Sequence, residues 1–226
     1  MPAQNSTKQY LENSYYHIYN RGIDKRPIFL DEQDYSVFLS YLKEYLLPKN
    51  EKELYDRLSN PNISSKEKDK ILKLLLMKNF YEEITLLSYC LMINHFHFMI
   101  KQQSRNSIDK FIKSLCGRYA MYFNKKYKRV GPMYQGVYKA VLIKNEGYYL
   151  YLSKYIHKQS LASQGDNLQD QPSSYADYLG ARNTEWVKPD EILSYFSKTN
   201  ANLSYRSFVE EYDDFSSIQH LIIEGD

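Results

Sequence analysis

The sequence predicts an α+β fold: a four-stranded antiparallel sheet with helices on one face, one helix beyond that unit, and a small helical C-terminal extension. Three observations predict it. Four short runs are rich in strand-forming residues. Stripes of apolar residues at helical spacing lie between them. A polar, turn-rich stretch at 160–174 then sets off the C-terminal part.

Taken in order, residues 1–13 are polar and read as a loose arm. Tyr15-Tyr16-His17-Ile18-Tyr19-Asn20-Arg21 is a strand ending at Gly22. Asp31 is placed to cap a helix carrying Tyr35, Phe38, Leu39, Leu42 and Leu46 on one stripe. Residues 48–82 are polar and lysine-rich, broken by Pro48 and Pro61, and read as an inserted helical excursion around 65–79. The nearly continuous apolar run 84–93 fits a buried strand. Asn94 marks a turn and 95–101 a second strand. Ile108, Phe111, Ile112, Leu115, Tyr119, Tyr122 and Phe123 make an amphipathic helix. A basic loop at 125–136, a strand at 137–143 and a helix at 146–157 follow, then short helical patterns near 189–197 and 204–213. Strand, helix, strand, strand, helix, strand is the ferredoxin-like βαββαβ order. It predicts a principal domain at 1–160, with the helical insertion at about 48–82. Residues 161–226 are then a linker and a helical C-terminal extension.

Composition narrows the function classes. Of the 226 residues, 43% are hydrophobic and 25% charged, which suits a globular protein with a real core. No apolar run approaches the roughly 20 residues of a membrane span. The polar N-terminus reads as lacking a signal peptide, and Cys90 and Cys116 are too few for a disulfide framework. A cytoplasmic protein with reduced thiols and no membrane partner is expected.

Charge is concentrated. Residues 110–145 contain no Asp or Glu but hold nine cations: Lys110, Lys113, Arg118, Lys125, Lys126, Lys128, Arg129, Lys139 and Lys144. The whole chain is only +3, so the remainder is net acidic. The block reads either as a phosphate-facing surface or as a solvated helix face with a basic loop. The 24 tyrosines allow both half-buried core rings and rings that stack on unpaired bases.

The chemistry-bearing residues are His95 and His97. Side chains alternate along a strand, so the two imidazoles share a face while Phe96, Phe98 and Ile100 pack behind them. That pair is half of a metal site, or two hydrogen-bonded polar residues; the spacing alone leaves both open. On the helix 146–157, Tyr155 and Gln159 are four apart and share a face if the helix runs one more turn. A carboxamide oxygen suits Mg²⁺ or Mn²⁺, and a tyrosine oxygen can attack a phosphate and conserve the phosphodiester energy in a covalent bond. The combination makes Tyr155 a candidate nucleophile and His95, His97 and Gln159 candidate metal ligands, although a Tyr–Gln pair on a helix is also common by chance.

These segments resemble the single-tyrosine HUH transposases, of the insertion-sequence and REP-associated tyrosine transposase type. Tyr16-His17-Ile18-Tyr19-Asn20-Arg21-Gly22 is similar to their opening strand, and Cys90-Leu91-Met92-Ile93-Asn94-His95-Phe96-His97 to their metal strand. Tyr122-Phe123-Asn124-Lys125-Lys126-Tyr127 and Gly131-Pro132-Met133-Tyr134-Gln135-Gly136 resemble the helix and loop that follow, and Tyr155-Ile156-His157-Lys158-Gln159 the nucleophile helix. The resemblance spans about residues 15–160 in order. It implies an HUH catalytic domain that cleaves and rejoins single-stranded DNA near hairpin ends (imperfect palindromes). It implies Mg²⁺ or Mn²⁺ and a 5′-phosphotyrosine with a free 3′-hydroxyl. Arg21 and the cations Lys110, Lys113, Arg118, Lys125, Lys126, Lys128, Arg129 and Lys139 are the expected DNA contacts. The chain would act as a monomer or a homodimer. Many relatives have Pro where Ile93 stands, Asn-Pro where Gln159-Ser160 stand and Arg where Val137 stands. Pro172-Ser173-Ser174-Tyr175 only partly echoes their Trp-Ser-Ser signature. The alternatives are a non-catalytic module that holds hairpin nucleic acid, and a replication initiator or relaxase, which would normally bring further domains.

Overall fold

The computed structural model describes residues 8–163, 172–220 and 222, without the side chains of 160–163. Strands β1 (Ser14–Arg21), β2 (Ile84–Met92), β3 (His95–Gln102) and β4 (Lys139–Ile143) form one sheet in the order β2-β3-β1-β4. Every neighbouring pair is antiparallel. Helices α1 (Glu32–Leu46), α2 (Glu51–Leu58) and α3 (Ser65–Leu76) lie between β1 and β2 in the chain. Helix α4 (Ser107–Lys126) joins β3 to β4, and α5 (Glu146–Ser163) follows β4. The extension adds α6 (Tyr175–Tyr178), α7 (Asp190–Leu193) and α8 (Tyr205–Glu210). The core is the ferredoxin-like arrangement that the element order predicts.

Local chemistry sets several boundaries. Asp31 caps α1, its carboxylate accepting from the Asp34 N–H at 3.0 Å. The excursion at 48–82 contains two helices where the periodicity predicts one. Asn50 and Ser64 each cap a separate helix, their side chains accepting from Glu53 and Glu67 N–H. Strand β4 starts at Lys139, later than predicted, and Val137 is exposed before it. Helix α5 runs on to Ser163. The short α6 had no periodic signature. Of the N-terminal arm, residues 8–13 are pinned: Gln102 Nε2 donates to Leu11 O at 2.8 Å, and Leu11 N–H donates to Tyr16 Oη at 2.6 Å. The linker read at 160–174 lies mostly outside the described residues.

Pleating divides the sheet into two faces. Tyr16 and Ile18 of β1 with Phe96, Phe98 and Ile100 of β3 pack against α1 and α4. From the helices come Phe38, Leu42 and Tyr45, and Ile108, Phe111, Ile112, Leu115, Tyr119 and Phe123. Each large side chain buried here is worth about 1.5–3 kcal/mol of transfer free energy. Met99, Val141 and Ile143 point to the opposite face, under Tyr149, Leu152, Tyr155 and Ile156 of α5. Tyr175, Tyr178, Tyr205 and Val209 of the extension complete that second core. A bulge between Leu86 and Ser88 turns Leu87 onto the same side.

The extension also covers the outer edge of β2. Leu91 N–H donates to Pro172 O at 2.8 Å, Ser174 N–H to Tyr89 O at 3.0 Å, and Lys188 N–H to Leu86 O at 2.9 Å. An edge strand left bare would offer unpaired backbone groups to another chain. Among the described residues no helix is long and apolar enough to cross a membrane, and Cys90 and Cys116 are free thiols.

Candidate active site

The second face carries the histidines. In the β1–β3 register Tyr19 lies opposite His97 and Arg21 opposite His95. Directly opposed residues point the same way, so His17, Tyr19, Arg21, His95 and His97 share one surface. His17 and His97 are buried; His95, at the strand end, is half-buried. The His95 and His97 rings stand 4.9 Å apart at 88°. Asn94 Oδ1 is 2.6 Å from His95 Nδ1 and orients that ring.

Helix α5 brings the tyrosine. The Tyr155 ring meets His97 edge-on, with centroids 5.6 Å apart, and lies 6.3 Å from His17. Tyr155 is buried, with Phe215 of the extension on it at 5.4 Å. Gln159 stands one turn further along α5 and is half-buried. The two predicted histidines and the predicted tyrosine are therefore together, within one chain.

His97 carries the observation most relevant to a metal. Its Nε2 is buried and has no hydrogen-bond partner among the described residues, while Nδ1 is 2.9 Å from His17 Nε2. A buried polar atom left unpaired costs about 1–3 kcal/mol, so such an atom calls for an explanation. Burial first, then the nearby His17, His95 and Arg21, hold the His97 imidazole well below its usual range. It is neutral at pH 7, as a ligand must be. Among the described residues no three His, Cys, Asp or Glu side chains converge on one point. The predicted donor set, two imidazoles with a carboxamide, is a mixed nitrogen–oxygen set of the kind that suits a divalent ion.

The flanking motifs gather at the same end of the sheet. Gly22 N–H donates to Asn94 O at 2.8 Å, and Gln135 N–H to Arg21 O at 2.9 Å. A Cβ at Gly22 would stand 2.2 Å from the Arg26 carbonyl oxygen, so only glycine fits there.

The basic block does not form one patch. Lys126 Nζ is held by Asp31 at 2.7 Å and by buried Asp34 at 2.8 Å. Burial alone would raise the Asp34 carboxyl, but Lys126, the Leu30 N–H and two tyrosine hydroxyls keep it below the ordinary range. Arg118 pairs with Glu44 at 2.6 Å and lies over the Tyr41 ring. Lys113 pairs with Asp109 at 2.8 Å. Lys110, Lys125 and Lys128 are exposed and Arg129 half-buried. Lys110 and Lys125 are about 22 Å apart along α4, and α4 packs on the first face. Arg21 and Lys139 are the predicted cations whose register places them on the histidine face.

Two groups had no assigned role in the sequence reading. His17 is one; alternation groups it with Tyr15 and Tyr19, but only the strand register brings it to His97. His157 is the other. It is fully buried, with Nδ1 2.6 Å from Tyr205 Oη and Nε2 2.8 Å from Ser174 Oγ. Ser174 Oγ also accepts from the Tyr89 N–H at 2.9 Å. Burial, then Arg182, pushes the His157 imidazole down to about 3. The Ser-Ser echo thus ties α5 to β2 and to the extension, and the nearest sequence signal was that partial motif.

Residues 57–159 match the model of a family described as IS200-like transposase. Among solved structures, a REP-associated tyrosine transposase bound to a REP hairpin is 12% identical, with a TM-score of 0.48, over 89% of this chain and 97% of that one. A Deinococcus radiodurans R1 protein described as a transposase is 16% identical, with a TM-score of 0.28, over 70% of this chain and 98% of that one. No curated protein matches the chain.

Proposed function

We propose that this chain, whose residues 57–159 match the IS200-like transposase family model, cleaves and rejoins single-stranded DNA near hairpin ends through Tyr155. One observation carries the reading. The Tyr155 ring stands against His97, and His97 keeps a buried nitrogen without a hydrogen-bond partner among the described residues. The hairpin substrate follows from the motif resemblance over residues 15–160, and Arg21 and Lys139 are its nearest cationic support.

In this reading Tyr155 Oη attacks the scissile phosphorus in line. The new bond joins Oη to phosphorus, and the bond from phosphorus to the 3′ oxygen breaks. The tyrosine proton passes to solvent, and the departing 3′ oxygen takes a proton from solvent to leave as a free 3′-hydroxyl. The product is a 5′-phosphotyrosine, which a second 3′-hydroxyl reverses without an external energy source. His95, His97 and Gln159 would hold Mg²⁺ or Mn²⁺, which when bound offsets charge on the phosphate oxygens. His97, neutral and fixed by burial, keeps its nitrogen lone pair available. The packing of Tyr155 against His97 and Phe215 limits its rotamers and holds its ring on the histidine face. The described residues of the extension, 172–220 and 222, act as a brace for α5 rather than as a separate catalytic unit.

The test is a hairpin-flanked single strand incubated in Mn²⁺. Wild-type protein forms a covalent adduct, Tyr155→Phe forms none while still binding DNA, and His97→Ala loses metal-dependent cleavage. An adduct that persists in Tyr155→Phe removes the nucleophile assignment. A wild type that binds the hairpin and never cleaves it supports the non-catalytic module instead. Tyr155 meets His97 of its own chain, so mixing the two inactive variants gives no rescue; recovered cleavage would place the tyrosine in trans.

A further inference from the structure

We infer that His17 is a positioning residue that sets the tautomer of His97 and so presents the Nε2 lone pair to a divalent metal. The inference rests on the reading of His95 and His97 as metal ligands. The two imidazoles lie nearly parallel, at 19°, with His17 Nε2 2.9 Å from His97 Nδ1. Both side chains are buried, so water does not compete for that contact.

One proton lies between these two nitrogens, and only one placement suits a ligand. If His17 donates, His97 Nδ1 is the acceptor and its own proton sits on Nε2. That nitrogen then cannot bind a metal, and a buried N–H is left without an acceptor. If His97 Nδ1 donates to His17 Nε2, the His97 Nε2 is an unprotonated lone pair. Metal-binding histidines are oriented in this way, the second ring nitrogen donating to a fixed acceptor. His17 is here the acceptor that a carboxylate or backbone carbonyl supplies elsewhere.

The same geometry takes His17 Nε2 out of the ligand set of a metal on His97 Nε2. Its Nε2 is engaged at the Nδ1 edge of the His97 ring, away from that atom. The backbone explains the pairing: His17 lies opposite Met99 in the ladder, and Tyr19 opposite His97. His17 thus reaches His97 diagonally, a contact open to large rings on one face of an antiparallel pair.

The test needs no DNA and no turnover. ¹⁵N spectra of metal-free wild-type protein should show His97 protonated on Nδ1. Mn²⁺ binding, followed by the paramagnetic signal of the free ion, should weaken roughly 10–100-fold in His17→Phe, which keeps a ring and loses the acceptor. His17→Gln, which retains an acceptor oxygen, should restore affinity toward wild type and keep the Nδ1 proton. Equal Mn²⁺ affinity in wild type and a folded His17→Phe overturns the role of His17 while leaving the metal site standing. Wild-type protein that binds no Mn²⁺ overturns the metal reading and this proposal with it. If His17→Phe does not fold, the wild-type spectrum decides, and a proton on His97 Nε2 overturns the assignment.

Discussion

The two faces of the sheet are made by the same four strands, yet they are different materials. Under α1 and α4 the core is mainly hydrocarbon and aromatic, with Phe29, Phe38, Phe96, Phe98 and Tyr119 in mutual contact, and buried Asp34, Gln102 and Ser107 are its hydrogen-bonded exceptions. Under α5 the buried set includes His17, His97, Ser153, Lys154, His157 and Ser174. Lys154 faces Asp213 at 3.4 Å, and its ammonium lies 4.8 Å from the Phe208 ring centre. An apolar face gains from any well-packed volume and tolerates exchange of one hydrocarbon for another. A polar face is stable only while each group keeps a specific partner. The contrast assigns stability to the first face and the candidate site to the second.

The largest effect that would break this contrast is on the first face. Phe38→Ala should cost about 3–5 kcal/mol, read from the urea midpoint, because the fully buried ring leaves a cavity. Adduct formation per folded molecule should not change. A loss of activity beyond the loss of folded protein would show that the two faces are coupled.

On the second face the acid limb of stability should be set by buried imidazoles. His157 is held at about 3, against an ordinary value near 6.5. The unfolded chain binds the proton first, so the stabilising contribution is complete above pH 6.5. It is lost as pH falls from 6.5 towards 3, by up to several kcal/mol. His157→Gln should flatten the slope of unfolding free energy against pH in that window. An unchanged slope would move the acid sensitivity to His97, whose imidazole is also held low.

The smallest effect sharpens the outer boundary of the first face. Lys125→Ala should leave stability within about 0.5 kcal/mol, because that side chain is exposed. It should lower DNA affinity in a salt-dependent way. Lys126→Ala should do the reverse, reducing stability by leaving buried Asp34 without its ammonium and changing DNA binding little. Equal losses of affinity in the two variants would return Lys126 to the DNA surface.

Much of this was legible before the structure. The alternation in His95-Phe96-His97-Phe98 separates ligand candidates from core, and the apolar stripe 108–123 is the stripe that α4 buries. Asp31 was readable as a cap because its chemistry is local. The two caps at Asn50 and Ser64 were hidden within a uniformly polar stretch, and no apolar stripe marks α2, none of whose residues is buried. α5 was harder for the opposite reason. Its residues 152–157 are buried all round, so its pattern has no polar face to set its orientation. The basic block was visible as composition, but composition does not say that Asp31, Asp34 and Glu44 meet its members.

By itself the sequence determined most of the elements, the face on which each strand residue lies relative to its neighbours, and the motif that suggests Tyr155 beside two histidines. Those are local properties, set by a period of two along a strand and 3.6 along a helix. Only the tertiary structure decided which strands adjoin, in what register, and which face receives α5. His17 and His97 are 80 residues apart, and their 2.9 Å contact exists because β1 lies beside β3 in one register. A slip of one residue would turn one strand's entire set of side chains to the opposite face. That register depends on burying two cores at once, and no local stretch of sequence contains both.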